Sequence, residues 1–209
     1  LDGDGTNDYI NNLGVTAIEL LPVNEFAGDL SWGYNPSFFY AIESSFGGPD
    51  HLKAMVDKAH QNGIAVILDL EFNHVATGDN ILWAVNNETY IDGDTVWGGL
   101  YNFDNDVAKH FLIQNVLYLA KEYKIDGFRF DLMAHQPKGA MLRARTAVQQ
   151  VDPDTYFYGE GWNFGEIANN QRFVQASQLE LAGTQIGTFT DRLRDAVRGG
   201  AFSAQGKAI

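Results

Sequence analysis

Apolar runs typical of buried strands alternate with amphipathic helical segments along most of this 209-residue chain. Strands are predicted over residues 15–21, 64–68, 126–131 and 155–160, and helices over residues 49–62, 139–150 and 190–198, with one more helix after residue 104. Strand–helix–strand units of this kind build a parallel sheet whose strands are joined by helical crossovers. The chain is therefore predicted to be an α/β protein, either a doubly wound sheet or a barrel.

Two observations favour the barrel. No glycine-rich phosphate loop follows a predicted strand, so the nucleotide-binding form of an open sheet has no support. Polar residues collect where strands end, at residues 69–74, 129–135 and 160–162, and barrel active sites lie at that carboxyl face. We predict a partial (β/α)8 TIM barrel that contains roughly strands 2 to 6 of the eight. Residues 1–209 are predicted to form a single incomplete catalytic domain, truncated at both ends.

Charge and hydropathy restrict the partners. The 27 Asp and Glu residues exceed the 14 Lys and Arg residues by 13, so no basic surface is predicted that could neutralise nucleic-acid phosphates. No apolar run approaches the ~20 residues that a membrane span requires. Cysteine is absent, which removes thiol nucleophiles and thiolate zinc sites. We therefore expect neither a nucleic-acid nor a membrane partner.

Residues 127–131 (GFRFD) form the most informative strand end. Because side chains alternate along a strand, Arg129 and Asp131 share one face, and Phe128 and Phe130 share the other. The aromatic face is expected to pack against helices, which points the charged pair into the mouth of the barrel. An Arg–Asp ion pair with a purely structural role is one interpretation. The other is a carboxylate nucleophile that the neighbouring cation keeps ionised.

Glu160 ends the next predicted strand, between Gly159 and Gly161 and two residues before Trp162. The glycines keep bulk away from the carboxyl group, and an apolar ring favours its protonated form, as a general acid requires. A loop glutamate between turn glycines is the alternative. If Glu160 and Asp131 end adjacent strands, we expect their carboxyl groups to lie about 5–5.5 Å apart. This is the spacing found in retaining glycosidases, in which one carboxyl group is the nucleophile and the other is the acid and base.

A metal site fits part of the same pattern. Asp69, Asp131 and Glu160 end three consecutive predicted strands, as the ligands of a metal-dependent lyase or isomerase would. Arg129, however, would place a fixed cation beside that metal, so we predict no metal ligands here.

Aromatic residues follow the first strand, over residues 32–40. Such rings stack on the apolar faces of sugars, and Tyr34 is expected to be more exposed than the rings at positions 38–40 and better placed for a ligand. The alternative is that several of these rings form a satellite core: Phe38, Phe39 and Tyr40. His74, at the end of residues 69–74, either satisfies a loop carbonyl or bonds a sugar hydroxyl.

These segments together resemble the α-amylase family of glycoside hydrolases. The resemblance rests on four segments in the family's order and spacing: residues 14–22, 69–74 (DLEFNH), 127–135 (GFRFDLMAH) and 158–162 (YGEGW). Within the family, three segments are similar to the pullulanase and limit-dextrinase branch: residues 32–36 (WGYNP), 159–166 (GEGWNFGE) and 183–196.

The resemblance implies a retaining hydrolase of α-glucan polysaccharides or oligosaccharides that cleaves α-1,6 branch linkages. It implies Asp131 as the nucleophile and Glu160 as the acid and base. It also implies six substrate-binding residues: Tyr34, Asp69, His74, Arg129, His135 and Trp162. No cofactor is expected, and calcium, which some relatives bind, is the one metal left open. An α-1,4-acting amylase, a branching enzyme and a non-catalytic glucan-binding module are the alternatives.

Two features depart from the family pattern. Glu71 stands where the family usually has an apolar residue, and it adds a carboxylate near Asp69. The family's third acid, in an Asn-His-Asp segment after the seventh strand, would lie beyond Ile209. We therefore expect weak or no turnover from these 209 residues alone.

Overall fold

A sheet of five parallel strands lies at the centre of the molecule. The structure, a computed structural model, describes residues 9–199. Its strands are β1 (Ala17–Leu20), β2 (Asn24–Phe26), β3 (Pro36–Ile42), β4 (Ala65–Glu71), β5 (His74–Val75), β6 (Ile91–Asp94), β7 (Gly99–Tyr101), β8 (Gly127–Asp131), β9 (Tyr156–Gly159) and β10 (Gly187–Thr188). Its α-helices are α1 (Tyr9–Leu13), α2 (Gly48–Gln61), α3 (Ile81–Tyr90), α4 (Asp106–Tyr123), α5 (Lys138–Gln149) and α6 (Asp191–Arg198).

The central sheet has the strand order β1-β4-β8-β9-β10, and every neighbouring pair is parallel. Helices follow β4, β8 and β10 along the chain, as strand–helix alternation predicts. The α/β class is confirmed, and the sheet with its helices forms part of a (β/α)8 barrel. The four predicted strands appear with small shifts of their ends, whereas the two-residue strand β10 lies outside every range predicted from the sequence.

Helix α2 shows how local sequence sets these elements. Pro49 lies in its first turn, where no helical N–H bond is lost, and Gly63 follows its end with a φ of +69°. Its buried residues recur at helical spacing and face the sheet: Leu52, Val56 and Ala59. The apolar stripe predicted for residues 49–62 is therefore the stripe that packs.

Two antiparallel sheets stand beside the central one. Strands β2 and β3 pair after β1, and β5, β7 and β6 form a three-stranded sheet after β4. Strand β3 places Phe39 in the main core, 3% exposed and stacked on Phe72 with ring centroids 5.0 Å apart. The neighbouring Phe38 and Tyr40 point the other way and stay 43% and 39% exposed, as alternation along a strand requires. Tyr34 is only partly exposed, so the expectation that it is more exposed than Phe38 and Tyr40 is wrong.

The helices of residues 9–199 include none with the length and apolarity to cross a membrane.

Candidate active site

Arg129 contacts three carboxyl groups at the carboxyl end of the central sheet. Its Nη1 donates to Asp69 Oδ1 and Oδ2 at 2.8 and 2.7 Å and to Asp131 Oδ1 at 2.6 Å. Its Nη2 lies 3.0 Å from Glu160 Oε1. The structure therefore brings together Asp131 and Glu160, the two predicted catalytic residues, around one guanidinium.

Strand register explains this convergence. Asp69 pairs with Arg129 across β4 and β8, and Asp131 lies two residues further along the face that Arg129 occupies. Burial opposes the charge of Arg129, but the hydrogen bonds and ionic contact with Asp69 raise the pKa of Arg129 above its ordinary value. The side chains of Asp131 and Glu160 keep 18% and 23% exposure, so a ligand can reach both carboxyl groups.

Glycines on either side of Glu160 permit close approach of the backbone. A Cβ at Gly159 would lie 2.4 Å from the carbonyl oxygen of Phe130, and one at Gly161 would lie 2.6 Å from the backbone nitrogen of Gln178. Backbone atoms cannot move aside as a flexible side chain can. Gly159 therefore allows the chain at Glu160 to lie close to β8, and Gly161 allows it to lie close to Gln178. The sequence suggested a different reason for the glycines, which was open space around the carboxyl group.

Leu132, directly after Asp131, adopts a left-handed conformation with a φ of +43°. A leucine rarely adopts this conformation, so the turn into the 3₁₀ helix Met133–His135 holds it there. The turn directs the backbone N–H of Leu132 to Glu160 Oε2, at 3.2 Å. The residue that follows one predicted catalytic carboxyl thereby orients the other.

Tyr34, which precedes β3, and His74, the first residue of β5, support Asp69. The Tyr34 hydroxyl donates to Asp69 Oδ2 at 2.6 Å, and His74 Nε2 lies 2.8 Å from the Tyr34 carbonyl oxygen. Because a carbonyl only accepts, Nε2 carries the hydrogen, and burial lowers the pKa of His74, which keeps the ring neutral. His74 thus satisfies a loop carbonyl, the first of its two sequence interpretations, and a bond from His74 to sugar stays a prediction.

Burial raises the pKa of Asp69 to about 6, although Arg129 and Tyr34 both favour its charged form. A carboxyl whose pKa is raised on folding binds its proton more tightly in the folded state than in the unfolded chain. Its contribution to the free energy of unfolding is therefore fully present below about pH 4 and is lost as the pH rises through about 6.

We expect Asp69→Asn to remove this pH dependence. Between pH 4 and pH 7 the wild-type protein should lose on the order of 3 kcal/mol of unfolding free energy relative to the variant. Denaturant titrations of both full-length proteins at several pH values measure the difference. Parallel pH curves for the two proteins would show that burial does not raise the pKa of Asp69.

Trp162 lies beside two cavities next to Glu160. One, of about 630 Å³, is also lined by Arg129, Glu160 and Phe189, and the other, of about 960 Å³, by Leu132 and Phe164 among others. Glu160, Trp162 and Phe189 thus place a carboxyl group among aromatic rings, the lining that a sugar site uses.

Two residues of this region were not identified from the sequence. The guanidinium carbon of Arg129 lies 5.7 Å from the centroid of the Phe189 ring, and that of Arg194 lies 5.5 Å from the centroid of the Trp162 ring. Phe189 follows β10, and Arg194 lies in α6. A two-residue strand gives no periodic signal, and the resemblance of residues 183–196 to the pullulanase branch assigned no site residue among them.

His135 is buried, with its side chain 2% exposed and its ring centroid 4.9 Å from that of Phe164. Neither ring nitrogen has a hydrogen-bond partner among residues 9–199, and Nε2 lies 3.8 Å from Glu166 Oε1. Burial lowers the pKa of His135. In this structure the ring of His135 therefore contacts protein, and its predicted role in substrate binding stays a prediction.

The arrangement does not fit the metal alternative. Arg129 Nη1 contacts both Asp69 and Asp131, and so occupies the position that a cation shared by those carboxylates would take. No group of three or more His, Cys, Asp or Glu side chains in the described part of the chain is placed to hold a metal ion.

A parallel α/β sheet that carries two carboxyl groups at its carboxyl edge is typical of barrel glycosidases. The model of the α-amylase catalytic domain matches residues 6–94, a segment that ends before β8 and β9. The chain belongs to the α-amylase family of glycoside hydrolases.

Within that family the chain is similar to pullulanases. It shares 34% identity over 220 residues with the pullulanase of Bacillus subtilis (strain 168), covering 93% of this chain and 30% of that relative. The crystal structure of pullulanase type I from Bacillus subtilis str. 168 complexed with maltose superposes with a TM-score of 0.86 and 31% identity, over 96% of this chain and 32% of that one.

Branching enzymes are also similar. The 1,4-alpha-glucan branching enzyme GlgB of Thiobacillus denitrificans (strain ATCC 25259 / T1) is 41% identical over 134 residues, which cover 60% of this chain and 18% of that enzyme. The chain thus spans less than a third of the length of these curated relatives.

Proposed function

We propose that the protein carrying this chain hydrolyses α-1,6 branch linkages in α-glucans and retains the anomeric configuration. The observation that carries the proposal is the pair Asp131 and Glu160, both in contact with Arg129 at the carboxyl end of one sheet. The similarity to a pullulanase over 93% of this chain supports the linkage. A relative of similar fold was crystallised with maltose, which supports an α-glucan ligand.

In the first half-reaction Glu160 donates its proton to the glycosidic oxygen while an Asp131 oxygen attacks the anomeric carbon. The bond from that carbon to the glycosidic oxygen breaks, and a glycosyl ester forms on Asp131. In the second half-reaction Glu160 accepts a proton from water, whose oxygen displaces Asp131 from the anomeric carbon. Two inversions restore the original configuration, and Glu160 regains its proton.

The contact of Asp131 suits its role, whereas both oxygens of Glu160 have donors in this structure, Arg129 at Oε1 and Leu132 at Oε2, so Glu160 must give up one of them to carry its proton. Asp131 accepts a hydrogen bond from Arg129, which orients the carboxyl group that attacks the anomeric carbon. Glu160 accepts the N–H of Leu132 at Oε2 and lies beside Trp162 in the smaller cavity. The aromatic lining of that cavity is suited to the glucan on the leaving side of the bond.

A branching enzyme is the second candidate, because GlgB is 41% identical to this chain over a segment that covers 60% of it. It would form the same ester on Asp131 but pass the glycosyl group to a glucan hydroxyl instead of water. The two activities differ in their products. Pullulan hydrolysis by the full-length protein should release new reducing ends, whereas branching of amylose leaves their number constant. A constant number of reducing ends with pullulan would contradict debranching.

Glucan binding can be measured separately from catalysis with variants of Tyr34. We expect Tyr34→Ala to weaken the binding of maltotriose and of branched dextrin about tenfold, since it removes both the ring and the hydroxyl that supports Asp69. Tyr34→Phe keeps the ring and should weaken binding about threefold. Calorimetric titration of the full-length protein gives both values.

The matched control is Tyr9→Ala, because Tyr9 is 72% exposed on α1 and has no place in this site. Equal affinities for Tyr34→Ala and Tyr9→Ala would remove Tyr34 from the binding site. Glucan binding by a wild-type protein that cleaves neither pullulan nor amylose would identify a non-catalytic binding module.

A further inference from the structure

Glu71 lies beside the predicted nucleophile. It ends β4, and the register of the sheet pairs it with Asp131, as it pairs Asp69 with Arg129. Residues paired in parallel strands point to the same face, so Glu71 points toward the Asp131 carboxyl group. Glu71 is 3% exposed, and it is the residue at which the sequence departs from the usual apolar side chain of the family.

Only one of the two oxygens of the Glu71 carboxyl group accepts hydrogen bonds from its surroundings. Oε1 accepts the backbone N–H of Asn73 and, at 3.4 Å, that of His74. Oε2 is buried, and no donor among residues 9–199 reaches it. An ionised carboxyl would therefore leave one charged oxygen without a donor in an apolar setting, which is costly.

The charged groups around Glu71 disfavour its ionisation further. Asp131 on β8 brings a negative charge within hydrogen-bonding reach. His74, whose Nδ1 lies 3.7 Å from Oε1, is kept neutral by burial, and Arg129 directs its guanidinium to other carboxyl groups. Burial and the charge of Asp131 raise the pKa of Glu71 well above its ordinary value.

We propose that Glu71 carries a proton at neutral pH and donates a hydrogen bond from Oε2 to the Asp131 carboxylate, as a positioning residue for the nucleophile. One proton satisfies both groups, because it gives Oε2 a partner and removes the repulsion between two adjacent anions. Asp131 then has a second donor besides Arg129, which fixes the orientation of its carboxylate plane. The role in positioning rests on the function proposed above, whereas the protonation of Glu71 does not.

Two substitutions separate the hydrogen bond from the proton. Glu71→Gln keeps a donor of the same length that cannot ionise, and Glu71→Val removes the donor and supplies an apolar side chain. For full-length Glu71→Val we expect kcat about tenfold lower with KM changed less than twofold, and the acid limb of the kcat/KM profile about one pH unit higher. Glu71→Gln should stay about threefold below wild type, keep the wild-type acid limb and lose one ionisation from the alkaline limb.

Infrared spectroscopy measures the proton without reference to activity. Glu160, in the protonated form that acts as the acid, contributes such a carboxyl group to the spectra of both the wild-type protein and Glu71→Gln. The wild-type protein at pH 7 should show one further carbonyl stretch of a protonated carboxyl group, which is absent from Glu71→Gln. A wild-type spectrum without this band, or equal pH profiles for Glu71→Gln and Glu71→Val, would overturn the proposal. If Glu71→Val does not fold, the infrared band decides alone, since it requires only the wild-type protein and Glu71→Gln.

Failure of the proposed function has a different signature. If a fluorinated glucosyl reagent labels a residue other than Asp131, the nucleophile has been assigned wrongly, while the infrared band of Glu71 persists. If Asp131 is labelled and the band is missing, only the inference about Glu71 is wrong.

Discussion

Asp131→Asn is expected to lower kcat on α-glucans on the order of 10⁴-fold or more, because an amide cannot form the glycosyl ester. The hydrogen bond from Arg129 at 2.6 Å would persist with the amide oxygen, so the fold and glucan binding should change little. Turnover and KM of the full-length variant, measured with pullulan, test this expectation.

Chemical trapping identifies the residue directly. A fluorinated glucosyl reagent should label Asp131 in the wild-type protein and leave the Asp131→Asn protein unlabelled. Asp106→Asn is a suitable control, because Asp106 is an exposed carboxyl at the start of α4 that contacts Lys109. A label on another carboxyl group, or full activity of Asp131→Asn, would refute its assignment as nucleophile.

The second large effect is expected for Glu160→Gln. Proton transfer by a positioned group contributes roughly 10² to 10⁴ in rate, so kcat on pullulan should fall by about that factor. Glucosyl fluoride does not need a proton on its leaving group, and its first half-reaction should slow less than tenfold. The contrast between the two substrates distinguishes loss of an acid from loss of structure.

Added azide supplies the test of the second half-reaction. It attacks the glycosyl ester without a general base, so it should accelerate Glu160→Gln on glucosyl fluoride and yield a glucosyl azide of retained configuration. Equal losses on pullulan and glucosyl fluoride, with no effect of azide, would contradict the role of Glu160 as acid and base.

The parallel sheet could be predicted because its longer strands carry a clear pattern. Residues 64–68 are apolar over a strand's length, residues 128–131 alternate aromatic and charged side chains, and helices of regular period follow both segments. The short antiparallel strands β2, β5, β6 and β7 and the parallel strand β10 could not be predicted in this way. Strands of two to four residues such as β5 and β7 are too short to show a period, and contacts distant in sequence decide their pairing.

The candidate site, like the fold, could be predicted from the sequence only in part. Arg129, Asp131 and Glu160 could be grouped because parallel strands end at one edge of a sheet. The reach of the Arg129 guanidinium to Asp69 as well as Glu160 depends on side-chain geometry across three strands. The burial of His135 under Phe164 depends on how the chain folds after β9, so no local sequence pattern indicates it.

Under the proposed function, the contacts of Arg129 have a consequence for the charge that a reacting sugar would meet. One guanidinium faces Asp69, Asp131 and Glu160, so even with Glu160 protonated the carboxylates outnumber it. Glycosidic cleavage passes through an oxocarbenium-like species, in which positive charge develops at the anomeric carbon and ring oxygen. Fixed negative charge stabilises that species more than it stabilises the neutral ground state, and only such a difference accelerates a reaction. Burial of this excess of anionic groups is costly for the resting protein. The same groups stabilise the positive charge that develops on the sugar in the transition state.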